Sequence, residues 1–232
     1  MKASVAELAK LPGVWRGGEL ENVVHGMVAT GHAALDRELP GGGWPMGTLS
    51  EVLHDGVGIG EVTFLGGALA RASEGERMVA WINPPHLPYA PALAQAGIPL
   101  ERCLVVRPAN REDALWAAEQ ALRSGACGAV LFWLGQEGRN EYACLRRLQM
   151  AAEAGRAMAV FFRPTTAEKL STPAHLRVVL AREEGVLELR IPKRRGPPLA
   201  TPVAIADNRK KKRLAVATPA LERARAVLAV VR

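Results

Sequence analysis

The stretch that most constrains the fold is Gly47 to Val62, GTLSEVLHDGVGIGEV. An apolar run from Leu49 to Leu53 enters a glycine-rich turn, and FLGGALARA beyond it is expected to be helical. Strand, glycine-rich loop and helix in that order is the architecture of a phosphate-binding P-loop. The side-chain chemistry of such a loop is missing. A working P-loop follows its last glycine with Lys for the terminal phosphates and Ser/Thr for magnesium. Here the loop reads His54-Asp55-Gly56-Val57-Gly58-Ile59-Gly60, and Glu61 and Val62 follow. A carboxylate about 4 Å from a phosphate costs roughly 4 kcal/mol per charge pair at an effective dielectric of about 20. The shape of a nucleotide loop is expected, without a functional P-loop and without a cofactor.

Further apolar runs recur at Met78 to Asn83, Cys103 to Arg107, Ala129 to Leu134 and Ala157 to Phe162. Between them lie helical patterns. Pro88 opens a short one ending at Gly97, and Asp113 to Arg123 places Leu115, Ala118 and Leu122 on one face. Asn140 stands as the cap of a helix carrying Leu145, Leu148 and Ala152, which stops at Gly155. Strand and helix alternate about every thirty residues, which predicts an α/β fold with a mostly parallel sheet and flanking helices. The pattern then changes. Leu176 to Ala181 and Val186 to Ile191 flank Arg182-Glu183-Glu184-Gly185, and the second run alternates apolar with charged residues. That predicts an antiparallel hairpin at the sheet edge. Three segments follow: an N-terminal arm and linker over 1–46, a core over 47–206, and a basic linker with an amphipathic C-terminal helix over 207–232.

Charge is unevenly distributed. Residues 193–232 hold eleven Lys/Arg against Asp207 and Glu222, so +9 of the formal net charge of +7 lies there and residues 1–192 carry −2. The basic character belongs to the tail. A solvated linker is one reading of that tail. The other is weak, sequence-independent attraction to DNA phosphates, with Lys193, Arg194, Arg195, Lys210, Lys211 and Lys212 as the contacts. In the terminal helix, Leu221, Ala224, Leu228 and Val231 form an apolar stripe suited to a partner's groove. Leu11 and Trp15 lie in the arm, where the Trp is either a core anchor or a partner-docking residue. Cys103, Cys127 and Cys144 are widely spaced, which argues for reduced thiols in a cytoplasmic protein. The five histidines have no metal-ligand spacing, and the longest apolar runs are too short to span a bilayer.

Several strings carry a resemblance: LPGVWRG at 11–17, VATGHAALDRELPGGGWP at 28–45, WINPPHLPYAPALA at 81–94 and DALWAAEQALRSGACGAVLFW at 113–133. Together with the basic turn after the hairpin, they resemble RecA-type recombinases, and within that superfamily the ImuA family of translesion-synthesis accessory proteins. The resemblance spans about residues 11–205 and implies a degenerate RecA-like core. It places the family's phosphate-loop Lys at Gly60 or Glu61 and its catalytic Glu at Pro84-Pro85-His86. Its magnesium-side Asp falls at Trp133-Leu134, and its γ-phosphate sensor falls near Arg163-Pro164. The implied protein is a pseudo-ATPase of the SOS response, serving error-prone translesion synthesis and associated with the nucleoid. Its implied partners are an inactive Y-family polymerase homologue (ImuB), an error-prone polymerase and RecA itself. The alternative is a division inhibitor of the SulA type, binding the tubulin-like division protein.

Overall fold

The computed structural model describes residues 26–56, 58–135, 138, 140–196, 199, 201–205 and 229–231. The loop-preceding strand, β3 (Thr48–Leu53), lies near the middle of a sheet that has nine strands among the described residues. Two short strands, β1 (Met27–Val28) and β2 (Trp44–Pro45), pair separately. On one side of β3 come β7 (Met158–Arg163), β6 (Cys127–Trp133), β4 (Met78–Ile82) and β5 (Cys103–Val106), all parallel. On the other side β8 (Leu176–Glu183) is parallel to β3, while β9 (Val186–Lys193) and β10 (Val203–Ile205) return antiparallel. The expected α/β fold and its antiparallel hairpin are both present, with β10 added outside the hairpin.

Helices cover both faces, which is why the central strands are apolar at nearly every position. On one face α1 (Ala33–Glu38), α2 (Gly66–Ala72) and α3 (Ala90–Gln95) bury Leu35, Leu69 and Leu93 with Val52, Trp81 and Val160. On the other, α4 (Arg111–Arg123) and α5 (Glu141–Gly155) bury Ala118, Leu122, Leu145 and Leu148 with Val130 and Phe132. These two helices come very close at Gly155, where a Cβ would sit 1.8 Å from the Leu122 carbonyl oxygen. No larger residue fits there.

Three local expectations change. Residues 26–46 pack onto the core instead of forming a loose linker: Leu35 and Trp44 are fully buried, and Trp44 meets Phe64 edge to face at 5.7 Å. Asn140 is left-handed (φ 58°) and makes no side-chain cap bond. Glu141 takes over locally, accepting the Gly138 N–H at 3.1 Å and pairing with Arg111. Val231, expected on a helix stripe, lies in the strand β11 (Ala229–Val231), which pairs in parallel with β5. The physical reason is local: two adjacent β-branched residues suit extension, and β5 offers an open edge.

Candidate functional site

The glycine-rich loop follows β3 at the carboxyl end of the sheet, where ligands sit in open α/β folds. Gly56, Gly58 and Gly60 all have positive φ (75°, 78° and 108°), which turns backbone amides inward. Such amides form an anion-binding concavity. In this chain the anion is built in. Glu61 Oε1 accepts the Gly58 N–H at 3.1 Å, and Oε2 accepts the Gly60 N–H at 3.0 Å. The Glu61 carboxylate thus occupies two loop donors that a phosphate in this concavity would need.

The loop is tied down at both ends. His54 donates its backbone N–H to the Arg163 carbonyl at 3.0 Å, and its Nδ1 meets the Gly56 carbonyl oxygen at 2.8 Å. Asp55 accepts the Thr165 N–H at 3.1 Å and the Thr165 hydroxyl. Those two bonds hold the Asp55 carboxyl below its ordinary range. Arg182, from the hairpin, donates to the Ile59 carbonyl at 2.8 Å.

Trp133, where the resemblance to RecA would put the magnesium-side Asp, stands at the end of β6. Its ring stacks on Phe162 with centroids 4.3 Å apart and planes 3° from parallel, and it lies 6.4 Å from Trp81. Three adjacent strands therefore fill this space with aromatic rings. Pro85 and His86, where the resemblance to RecA would put the catalytic Glu, are exposed on the loop after β4. Asn83, which starts that loop, donates to the Trp133 carbonyl at 3.0 Å.

Arg163, near which the resemblance to RecA would put the γ-phosphate sensor, belongs to a buried ion cluster that sequence reasoning missed. Glu51 is wholly buried in mid-β3, accepting from Arg163 Nη1 and from Arg177 Nε, each at 2.6 Å. Arg177 Nη1 also donates to the carbonyls of Glu168 (2.6 Å) and Leu170 (3.0 Å). One carboxylate between two guanidiniums joins β3, β7 and β8. The available signal was a charge inside TLSEVL, matched by arginines in two other strand segments.

The expected surface contacts are dispersed. Lys193 ends β9 and donates to the Thr172 carbonyl at 2.8 Å. Arg194 turns toward α1, donating to the Glu38 carbonyl and lying 3.6 Å from its carboxylate. Arg195 is exposed. Leu11, Trp15, Lys210, Lys211, Lys212, Leu221, Ala224 and Leu228 lie outside the described residues. Among the described residues no group of three His, Cys, Asp or Glu side chains is arranged to hold a metal ion. No helix there is long and apolar enough to cross a membrane. Cys103, Cys127 and Cys144 are free thiols, and burial pushes Cys103 up to about 11.

The family model described as cell division inhibitor SulA matches residues 47–159, from β3 to the start of β7. The cell division inhibitor SulA of Edwardsiella piscicida is 35% identical over 96 residues, which are 41% of this chain and 55% of that protein. The SulA of Yersinia enterocolitica is 30% identical over 102 residues, 44% of this chain and 59% of that protein. The RecA protein of Cutibacterium acnes is 33% identical over 118 residues, 51% of this chain but 34% of RecA. The chain thus spans about half the length of the SulA relatives and a third of RecA. Sequence and fold together make it RecA/SulA-like.

Proposed function

We propose that this chain is a non-catalytic RecA/SulA-like protein that acts by binding other proteins. The observation that carries the reading is Glu61, whose carboxylate takes the Gly58 and Gly60 amides where a phosphate-loop lysine would serve a nucleotide. Phosphoryl transfer rests on metal and positioned charge, with little covalent chemistry to fall back on. Trp133, stacked on Phe162, offers no ligand for a metal ion, and Arg163 is bound to Glu51.

Two roles fit a RecA-like surface without nucleotide chemistry. The match to cell division inhibitor SulA over 47–159 favours inhibition of division through the tubulin-like division protein. The second reading is an ImuA-type role in the SOS response. There the protein would serve error-prone translesion synthesis with an inactive Y-family polymerase homologue, an error-prone polymerase and RecA. It is favoured by strings outside the matched stretch, LPGVWRG at 11–17 and VATGHAALDRELPGGGWP at 28–45. Either role places the protein in the cytoplasm, the second at the nucleoid.

The test is a pull-down with the full chain against the division protein, the Y-family homologue and RecA, alongside an ATPase assay. Retention of the division protein alone supports the first role, and retention of the polymerase homologue supports the second. ATP turnover above background that disappears on Gly58→Ala substitution would refute the non-catalytic reading.

A further inference from the structure

Helices α4 and α5 lie side by side with their inner sides buried in the core. On their outer sides one carboxylate ties them together. Glu119 of α4 is buried and accepts Arg123 Nη2 at 3.1 Å, and it also accepts Arg147 Nη2 of α5. Two guanidiniums thus share one negative charge, and both arginine side chains are 58% exposed. Each gives Glu119 a single nitrogen from a planar fork of five N–H donors. Such a fork favours a carboxylate taken through two parallel bonds, which Glu119 supplies to neither.

The neighbouring turns add apolar surface. Trp116 precedes Glu119 by three residues on α4, and Met150 follows Arg147 by three on α5, the spacing that makes side chains neighbours on a helix surface. Trp116 is 64% exposed and Met150 55%. Charge is polarised along the pair. Glu112, Asp113 and Glu141 stand in the first turns. Farther along, Arg123, Arg146, Arg147 and the cap residue Arg156 stand against Glu119 and Glu153, an excess of two positive charges. Trp, Met and Arg are the residue types enriched where proteins bind one another.

We propose that the outer groove between α4 and α5 docks an acidic amphipathic helix of a partner protein. Apolar side chains of that helix pack on Trp116 and Met150, and a carboxylate between them takes the open N–H groups of Arg123 and Arg147. A helix suits the groove because two packed helices offer ridges that a third can fit, with anchors one turn apart. The local excess of positive charge selects an acidic partner over a basic one. The inference rests on the reading that this chain acts by binding proteins, and it adds the surface and the chemistry of what docks there.

The experiment uses the full chain with the purified division protein, Y-family homologue and RecA as probes. Affinity is read by interferometry at low and at high salt, and self-association by sedimentation. Trp116→Ala and Met150→Ser remove the anchors, and Arg123→Gln removes one cation while leaving Arg147 with Glu119. Leu87→Ala, at another exposed apolar residue on the loop after β4, is the control. The expected result is that Trp116→Ala weakens binding of the retained partner about tenfold or more at an unchanged melting temperature. Arg123→Gln should weaken it less, with a smaller loss on adding salt than in wild type. If Trp116→Ala lowers the melting temperature, Met150→Ser carries the test. A partner bound equally by wild type, Trp116→Ala and Met150→Ser, or weakened as much by Leu87→Ala, overturns the proposal and leaves the protein-binding reading standing. Wild-type dimers that Trp116→Ala dissociates also overturn it, since the groove then holds a second copy. No binding of any of the three proteins by wild type overturns the protein-binding reading, and the proposal falls with it.

Discussion

Glu51→Gln is the sharpest test of the interior described here. The substitution keeps side-chain volume and removes one negative charge from a site with no solvent exposure. The native carboxylate accepts 2.6 Å bonds from Arg163 and Arg177 at once. An amide has one oxygen and turns an N–H₂ donor toward one of the two guanidiniums. Two buried cations then lose their counter-charge, a change worth about 3–5 kcal/mol. Against a typical domain stability of about 5–15 kcal/mol, that is a large fraction. Arg163→Met should cost less, about 1–3 kcal/mol, because it leaves Glu51 and Arg177 as a balanced pair. Replacing all three with Met should cost less than Glu51→Gln alone, since the carboxylate and both guanidiniums leave together, although the Glu168 and Leu170 carbonyls lose a donor. Urea unfolding followed by circular dichroism gives this ranking, provided the slope with denaturant stays constant. A Glu51→Gln cost under about 1 kcal/mol, or an Arg163→Met cost larger than that of Glu51→Gln, would refute the charge argument.

Other outcomes follow from the same contacts. Gly155→Ala should prevent stable folding, because its Cβ would collide with the Leu122 carbonyl; a folded, cooperative melt would show that α4 and α5 can separate. Cys103 should resist alkylation at pH 8 in the native protein and react once the chain is unfolded, its thiol being pushed up to about 11. The Asp55 carboxyl is held below its unfolded value near 3.8, so its contribution is present above that pH and is lost as pH falls through the lower folded value. Thr165→Val removes the hydroxyl donor, and the fall in melting temperature below about pH 4 should become shallower than in wild type. An unchanged acid limb would mean that Asp55 is not held by Thr165 in solution.

Much of the fold was legible because burial on both faces writes continuous apolar runs. Ala129 to Leu134 needed no periodicity to be read as a central strand. The hairpin was legible for the opposite reason: Leu187, Leu189 and Ile191 alternate with Glu188 and Arg190 across a half-covered sheet. That no lysine follows the loop's last glycine was visible too, but the position of the Glu61 carboxylate was not, since it depends on the backbone turn at Gly58 and Gly60. Glu51 hid inside an apolar run because its partners are more than one hundred residues away, and no local pattern links them. Residues 26–46 misled in another way. Their Gly/Pro cluster signals loop, but Leu35 and Trp44 are core residues supplied by tertiary packing.

At the loop, the end of β6 and the end of β7, where the resemblance to RecA would put nucleotide chemistry, this chain makes interior contacts. Glu61 satisfies loop amides, Trp133 stacks on Phe162, and Arg163 balances Glu51. On the proposed non-catalytic reading, a single substitution toward a nucleotide enzyme removes a contact and confers no turnover. Glu61→Lys frees the Gly58 and Gly60 amides, but no carboxylate stands at Trp133 to hold magnesium. Trp133→Asp supplies that carboxylate at the loss of a stacked ring, a cost of about 3–5 kcal/mol by analogy with large-to-small core changes. Combined, the two substitutions should melt well below wild type and still show no ATP turnover, because Arg163 remains committed to Glu51. Turnover in the double variant would mean that these contacts only mask the site, and the non-catalytic reading would then rest on Glu61 and Trp133 alone.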